Sequence, residues 1–108
     1  MMNDRLKGMI GLAVKAGKML SGTFAVEGAI RRGKAKLVII DGRASRNTLK
    51  QFQLVCERHG TNYIVLEDSG VLEILLSRDN RTVMAITDGG FASAIIEIFK
   101  KNNQGVQE

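Results

Sequence analysis

Cysteine and histidine each occur once in the 108-residue chain, as Cys56 and His59, and proline not at all. One cysteine makes no internal disulfide, and one cysteine with one histidine makes no zinc-spaced cluster, so neither redox nor metal chemistry is expected, and no cofactor. Long apolar runs are also missing: none approaches the roughly 18 residues of a membrane span. The opening "MMNDRLKGMI" lacks the apolar region and the small-residue cleavage site of a signal peptide. A cytoplasmic chain is expected. The lack of proline forbids no element and points to no function.

Charge is plentiful and unevenly placed. Residues 1–50 carry eleven Lys and Arg against Asp4, Glu27 and Asp41, a net +8, whereas residues 51–108 carry five against eight acids, a net −3. Segregation of this kind produces a positive face suited to phosphate-rich partners. Its densest point is "RRGKAKLVII", residues 31–40, where four cations in six residues run directly into four aliphatic ones.

Apolar spacing organises the rest. Leu6, Met9, Ile10, Ala13 and Val14 recur at three and four, predicting a helix that Asn3 caps and Gly17 ends. A short extended piece follows at Met19 and Leu20. "SGTF" then supplies helix-start residues, and Val26, Ala29 and Ile30 give a second helix of about two or three turns, closed by Gly33. "KLVII" reads as a central strand covered on both faces. Residues 45–60 return to helical spacing, with Leu49, Phe52, Val55 and Cys56 inward, a cap from Ser45 or Asn47, and Gly60 at the end. "NYIVL" reads as a strand, "DSGVLEILL" as a short helix, "RTVMAIT" as a strand, and "DGGFASAIIEIFKK" as a last helix capped by Asp88. The alternation predicts one α/β domain over residues 1–100, a three-layer α-β-α sandwich around a small mixed, largely parallel sheet, with a frayed tail over 101–108.

Candidate chemistry is sparse. The acids are scattered, His59 reads as a solvated helix-end residue and Cys56 as a core residue, so no nucleophile or acid–base pair is present to support catalysis. The "ITDGGF" turn presents a glycine pair before a helix, but it lacks the spacing and the Lys-Ser or Lys-Thr of a phosphate loop, and Asp88 stands where an anion would sit. The segment "SGTFAVEGAIRRGKAK" is better equipped. Free amides at a helix start and cations at its end, Arg31, Arg32, Lys34 and Lys36, are two independent means of holding phosphate. Basic residues in a last turn also oppose the helix dipole without any ligand. Aromatic residues number four Phe and one Tyr, with only Phe24 in the basic half, which disfavours a stacking platform for unpaired strands and leaves structured RNA or a duplex edge.

The segments "GLAVKAGKMLSGT", "IRRGKAKLVIIDGRASRNT" and "VMAITDGGFA" resemble the ribosomal kink-turn proteins, the L-seven-Ae and L-thirty-e family, and within it the small bacterial YlxQ-type branch. The resemblance implies a non-catalytic, ribonucleoprotein-type RNA binder. In that family the start of the second helix meets the sheared G·A pairs of a kink-turn, and a loop before the last strand packs against extruded bases. By position, the first element is Gly22, Thr23, Phe24, Ala25 and Gly28 with Lys36, and the second is Arg81, Thr82, Val83 and Met84. Phe24 and Ala25 replace polar or acidic groups of the family, Gly28 replaces a lysine, and Arg43 stands where an acid is common. "LEILLSRDNR" lacks the family's L-G-x-x-x-G-K.

Arg32, Lys34, Lys36 and Arg43 complete the expected RNA surface, with about four to six phosphate contacts and a salt slope of about −4 to −5. The expected partner is structured RNA, ribosomal RNA or another kink-turn among the candidates, bound by a monomer with possible ribosome association. Two further readings stand beside it: a protein-interaction module of the same fold, with Phe24, Val83 and Met84 as an exposed apolar patch, and a small-ligand site at "TDGGF".

Overall fold

The structure is a computed structural model that describes residues 2–67 and 82–107. The short helix expected at 68–76, and Arg81, lie outside the described residues. Four helices are present among the described residues: α1 (Met2–Lys15), α2 (Thr23–Arg31), α3 (Arg46–His59) and α4 (Gly89–Gln107). Four strands, β1 (Met19–Ser21), β2 (Leu37–Asp41), β3 (Tyr63–Leu66) and β4 (Val83–Ile86), form one sheet in the order β1-β4-β2-β3.

The α-β-α sandwich and the mixed sheet are as expected, but the pairing differs from a parallel sheet in an instructive way. Only β2 and β3 pair in parallel; β4 pairs antiparallel with both β1 and β2. β1, β2 and β3 therefore point the same way, and the reversed β4 is inserted between the first two. "Largely parallel" holds for strand direction and fails for the ladders.

Side chains of the central strands alternate between two cores, as a period of two dictates. Leu37 and Ile39 of β2, with Met84 and Ile86 of β4, pack under α1 and α4 against Leu6, Ile10, Ala13, Ile95 and Ile98. Val38, Ile40, Val83 and Ala85 pack under α2 and α3 against Val26, Ala29, Ile30, Phe52, Val55 and Cys56. All residues of β2 and β4 are buried, which is why their sequences read as continuous apolar runs. Cys56 is a core residue, as expected, and burial first, then Glu57, raises its thiol to about 11.

Helix ends follow local chemistry. Ser45 Oγ accepts from Thr48 N at 3.1 Å and starts α3, and Asp88 Oδ2 accepts from Phe91 N at 2.9 Å at the start of α4. Asn3 lies inside α1, which already begins at Met2, so it is not the cap that the sequence suggests. The last helix continues to Gln107, through the residues expected to fray.

Candidate nucleic-acid interface

The strand directions sort the helix starts onto the ends of the sheet. α2 follows β1 and α3 follows β2, so both start at the end where Ser21, Asp41 and Val83 lie, whereas α4 starts at the opposite end, beyond Ile86.

Gly22 is the hinge between β1 and α2. Its amide donates to Val83 O at 3.0 Å and its carbonyl accepts from Val26 N at 3.0 Å. It does this at φ 98° and ψ 147°, a backbone region close to glycine-only, and it gives α2 no side-chain cap. The first amides of α2, at Thr23, Phe24 and Ala25, therefore have no partner among the described residues, in contrast to the capped starts of α3 and α4. Gly22→Ala should lower stability by about 1–3 kcal/mol through backbone strain, read as a reduced urea midpoint with an unchanged m-value.

The loop after β2 lies at the same end. Asp41 N donates to Thr82 O at 2.8 Å, which places Thr82 of the expected second element beside the loop. Among the described residues Asp41 is the one buried charged residue, 1% exposed, and its carboxylate accepts from Arg43 N at 2.9 Å and Arg43 Nη2 at 3.1 Å. Arg43, expected as an RNA contact, thus has its guanidinium held by a buried carboxylate of its own loop. Sequence reading missed Asp41, although an acid ending a fully apolar strand, two residues before an arginine, is a local signal for this turn.

The cations of "RRGKAK" divide into two kinds. Arg31 Nε and Nη2 both donate to Glu27 Oε2, at 3.1 and 2.7 Å, and Gln51 Nε2 of α3 donates to Glu27 Oε1 at 3.1 Å. That arginine is neutralised and tied to the neighbouring helix. Arg32, Lys34 and Lys36 are exposed and have no acidic partner among the described residues.

Lys34 and Lys36 lie at the end of the sheet away from Gly22, because Lys36 N donates to Ile86 O at 2.8 Å whereas Gly22 bonds Val83. The structure therefore separates the helix start from these lysines by the length of α2, nine residues or about 13 Å. It also adds Lys18, which no sequence motif singled out. Thr87 N donates to Lys18 O at 2.9 Å, so Lys18 and Lys36 flank the end of β4, two ladder spacings or about 10 Å apart. Phe24 and Gly28 of α2 and Arg32, which caps its end, lie between the two ends, spaced four residues apart.

The apolar patch expected of Phe24, Val83 and Met84 does not exist. Val83 and Met84 are fully buried, on opposite faces of β4, one under α2 and the other under α1 and α4. Both belong to the strand itself and not to a loop before it, so their side chains cannot meet a ligand. Of the three, Phe24 alone is exposed.

Among the described residues, no helix is long and apolar enough to cross a membrane, and no group of three or more His, Cys, Asp and Glu could hold a metal ion.

Comparison with known proteins agrees with this architecture. The family model of the ribosomal protein L7Ae/L30e/S12e/Gadd45 family matches residues 4–96. The RNA-binding protein YlxQ of Bacillus subtilis (strain 168) is 37% identical over 90 residues, covering 83% of this chain and 90% of that protein. The RNA-binding protein YlxQ of Enterococcus faecium is 30% identical over 92 residues, covering 85% and 88%. Among solved structures, a Bacillus halodurans protein of unknown function superimposes with a TM-score of 0.81 at 24% identity, over 88% of this chain and 96% of that one. The Giardia lamblia 15.5kD RNA binding protein superimposes with a TM-score of 0.72 at 21% identity, over 93% and 86%, and at these identities both structures speak for the fold alone. With the matched region spanning nearly all the described elements, the chain belongs to the ribosomal protein L7Ae/L30e/S12e/Gadd45 family, and within it to the YlxQ type.

Proposed function

We propose that this protein is a non-catalytic RNA-binding protein that lays structured RNA along α2. The uncapped start of the helix at Gly22, Thr23, Phe24 and Ala25 faces one part of the phosphate backbone, and Arg32, Lys34, Lys36 and Lys18 face another. The observation that carries the reading is the selective pairing of the basic segment: Arg31 is neutralised by Glu27, whereas the next three cations have no acidic partner among the described residues. Cations serving only the helix dipole would need no such continuation past the helix end to the following strand. The names of the YlxQ relatives support the same partner class.

Kink-turn preference is expected to be weak. Base-edge contacts specify a site, and each good bidentate one is worth about 1–3 kcal/mol. Phe24, Ala25 and Gly28 offer no polar side-chain atom at the positions where such contacts are made in the family. Titration against a kink-turn RNA, and against the same RNA with its G·A pairs replaced by Watson–Crick pairs, should therefore give dissociation constants within about fivefold of each other, less than one such contact supplies. A preference of a hundredfold for the G·A form would mean that the α2 amides read the motif unaided. Failure of both RNAs to bind at 50 mM salt would overturn the RNA reading.

A further inference from the structure

Phe24 presents a phenyl ring to solvent at 93% exposure, the highest among the exposed large apolar side chains of the described residues. Beside it is an open hollow of about 340 Å³ lined by Phe24, Ala25, Glu27, Gly28, Arg31 and Arg32, a volume at the lower end of small-ligand sites. Its floor is Gly28, an interior helix position where glycine is disfavoured unless something must approach the backbone closely. A Cβ built there would lie 3.0 Å from Arg32 Nη1, so the guanidinium rests over the glycine, within reach of the hollow. Two further lining residues are fixed, because Glu27 holds Arg31 through two donors and is itself held by Gln51.

We infer that this hollow seats one unpaired nucleobase of the bound RNA, stacked on the Phe24 ring, with its edge or its phosphate against the Arg32 guanidinium that rests over Gly28. The inference rests on the RNA reading above and names the residue through which that surface discriminates among RNAs. Charge favours a nucleotide over a protein side chain as the occupant. Glu27, the carboxylate at the hollow, is already satisfied, and the cations that follow, Arg32, Lys34 and Lys36, have no acidic partner among the described residues. A flat π-face beside a guanidinium matches a base and its phosphate, and stacking on a single ring is tolerant of base identity. The sequence counted one ring as too few for a platform; one ring with a glycine floor and an adjacent arginine is enough for a single base.

The test uses an RNA hairpin with one bulged 2-aminopurine in its stem, and the same hairpin with that base paired. The wild-type protein should bind the bulged hairpin more tightly and quench its 2-aminopurine emission. Phe24→Ala should weaken binding to the bulged hairpin roughly 5- to 150-fold and abolish the quench, so that the variant no longer distinguishes the two hairpins. Phe24→Tyr should retain both properties. Because Phe24 is exposed, these variants should melt at the wild-type temperature. Gly28→Ala, which favours the helix but whose Cβ would press on the Arg32 guanidinium, should weaken the bulged hairpin more than the paired one. Equal affinity for the two hairpins, with no effect of Phe24→Ala, would overturn the base seat while leaving RNA binding intact. No binding of either hairpin by the wild type would overturn both and assign the ring to a protein surface.

Discussion

Raising the salt concentration from 50 to 200 mM should weaken RNA binding roughly 150-fold. Four cations on the proposed surface, Lys18, Arg32, Lys34 and Lys36, have no acidic partner among the described residues. Each phosphate they neutralise releases counterions, with a slope of about −0.9 in log K against log salt for a duplex-like RNA, giving about −3.6 in total. A fourfold change in salt then gives the stated loss. The slope is a little shallower than the about −4 to −5 expected from the sequence, because Arg31 and Arg43 drop out of the count: each guanidinium already has a carboxylate. Titrations at four salt concentrations would measure it. The Lys34→Ala, Lys36→Ala double variant should lose about 1.8 from the slope and weaken all RNAs alike, whereas Arg31→Ala should leave the slope unchanged. A wild-type slope shallower than about −1 would remove the electrostatic basis of the proposal.

Phe52→Ala should cost about 3–5 kcal/mol of folding stability, the range for emptying a buried phenyl site. Phe52 is among the largest fully buried side chains, and it packs in the same cluster as Val26, Ala29 and Ile30 on the inner stripe of α2. The cavity would therefore open beneath the helix that carries the proposed interface. For a small domain at the lower end of the usual range of about 5–15 kcal/mol, the variant would be close to the folding threshold. Urea denaturation should show the midpoint falling with little change in slope. Leu54, two residues on and 57% exposed, is the control: Leu54→Ala should change stability by no more than about 0.5 kcal/mol. A loss at Phe52 below about 1 kcal/mol would mean that α3 does not support α2 as described.

Most of the elements were legible because helix and strand periods are local properties. Val26, Ala29 and Ile30 identify the inner face of α2 wherever α2 is placed, and "KLVII" reads as a two-sided strand without its neighbours. The insertion of β4 between β1 and β2 was not legible, since alternating helices and strands are equally compatible with parallel ladders, and nothing in "VMAI" states its partner. The same limit misplaced Val83 and Met84. Matching by position put them in a loop at the interface, whereas both faces of their strand are covered. The difference between Arg31 and Arg32 was half legible: Glu27 stands four residues before Arg31, a spacing that pairs on a helix, but the contribution of Gln51 from α3 requires the fold. The position of Arg32 over Gly28 depends on a rotamer that no pattern encodes.

The reversed strand also sets the order in which the molecule becomes competent. During synthesis the ribosome releases β1, α2, β2, α3 and β3 before β4, yet in the finished sheet β1 has β4 as its ladder partner, and the Gly22 amide is held by the Val83 carbonyl. A nascent chain ending near residue 67 can form the parallel β2–β3 pair, but it has nothing to fix the entry into α2. Closing the sheet requires contacts more than sixty residues apart, between Met19 and Ile86 for example, which makes this step late and slow relative to local helix formation. The Gly22 end of the proposed RNA surface thus gains its Val83 anchor only when the last strand enters the middle of the sheet.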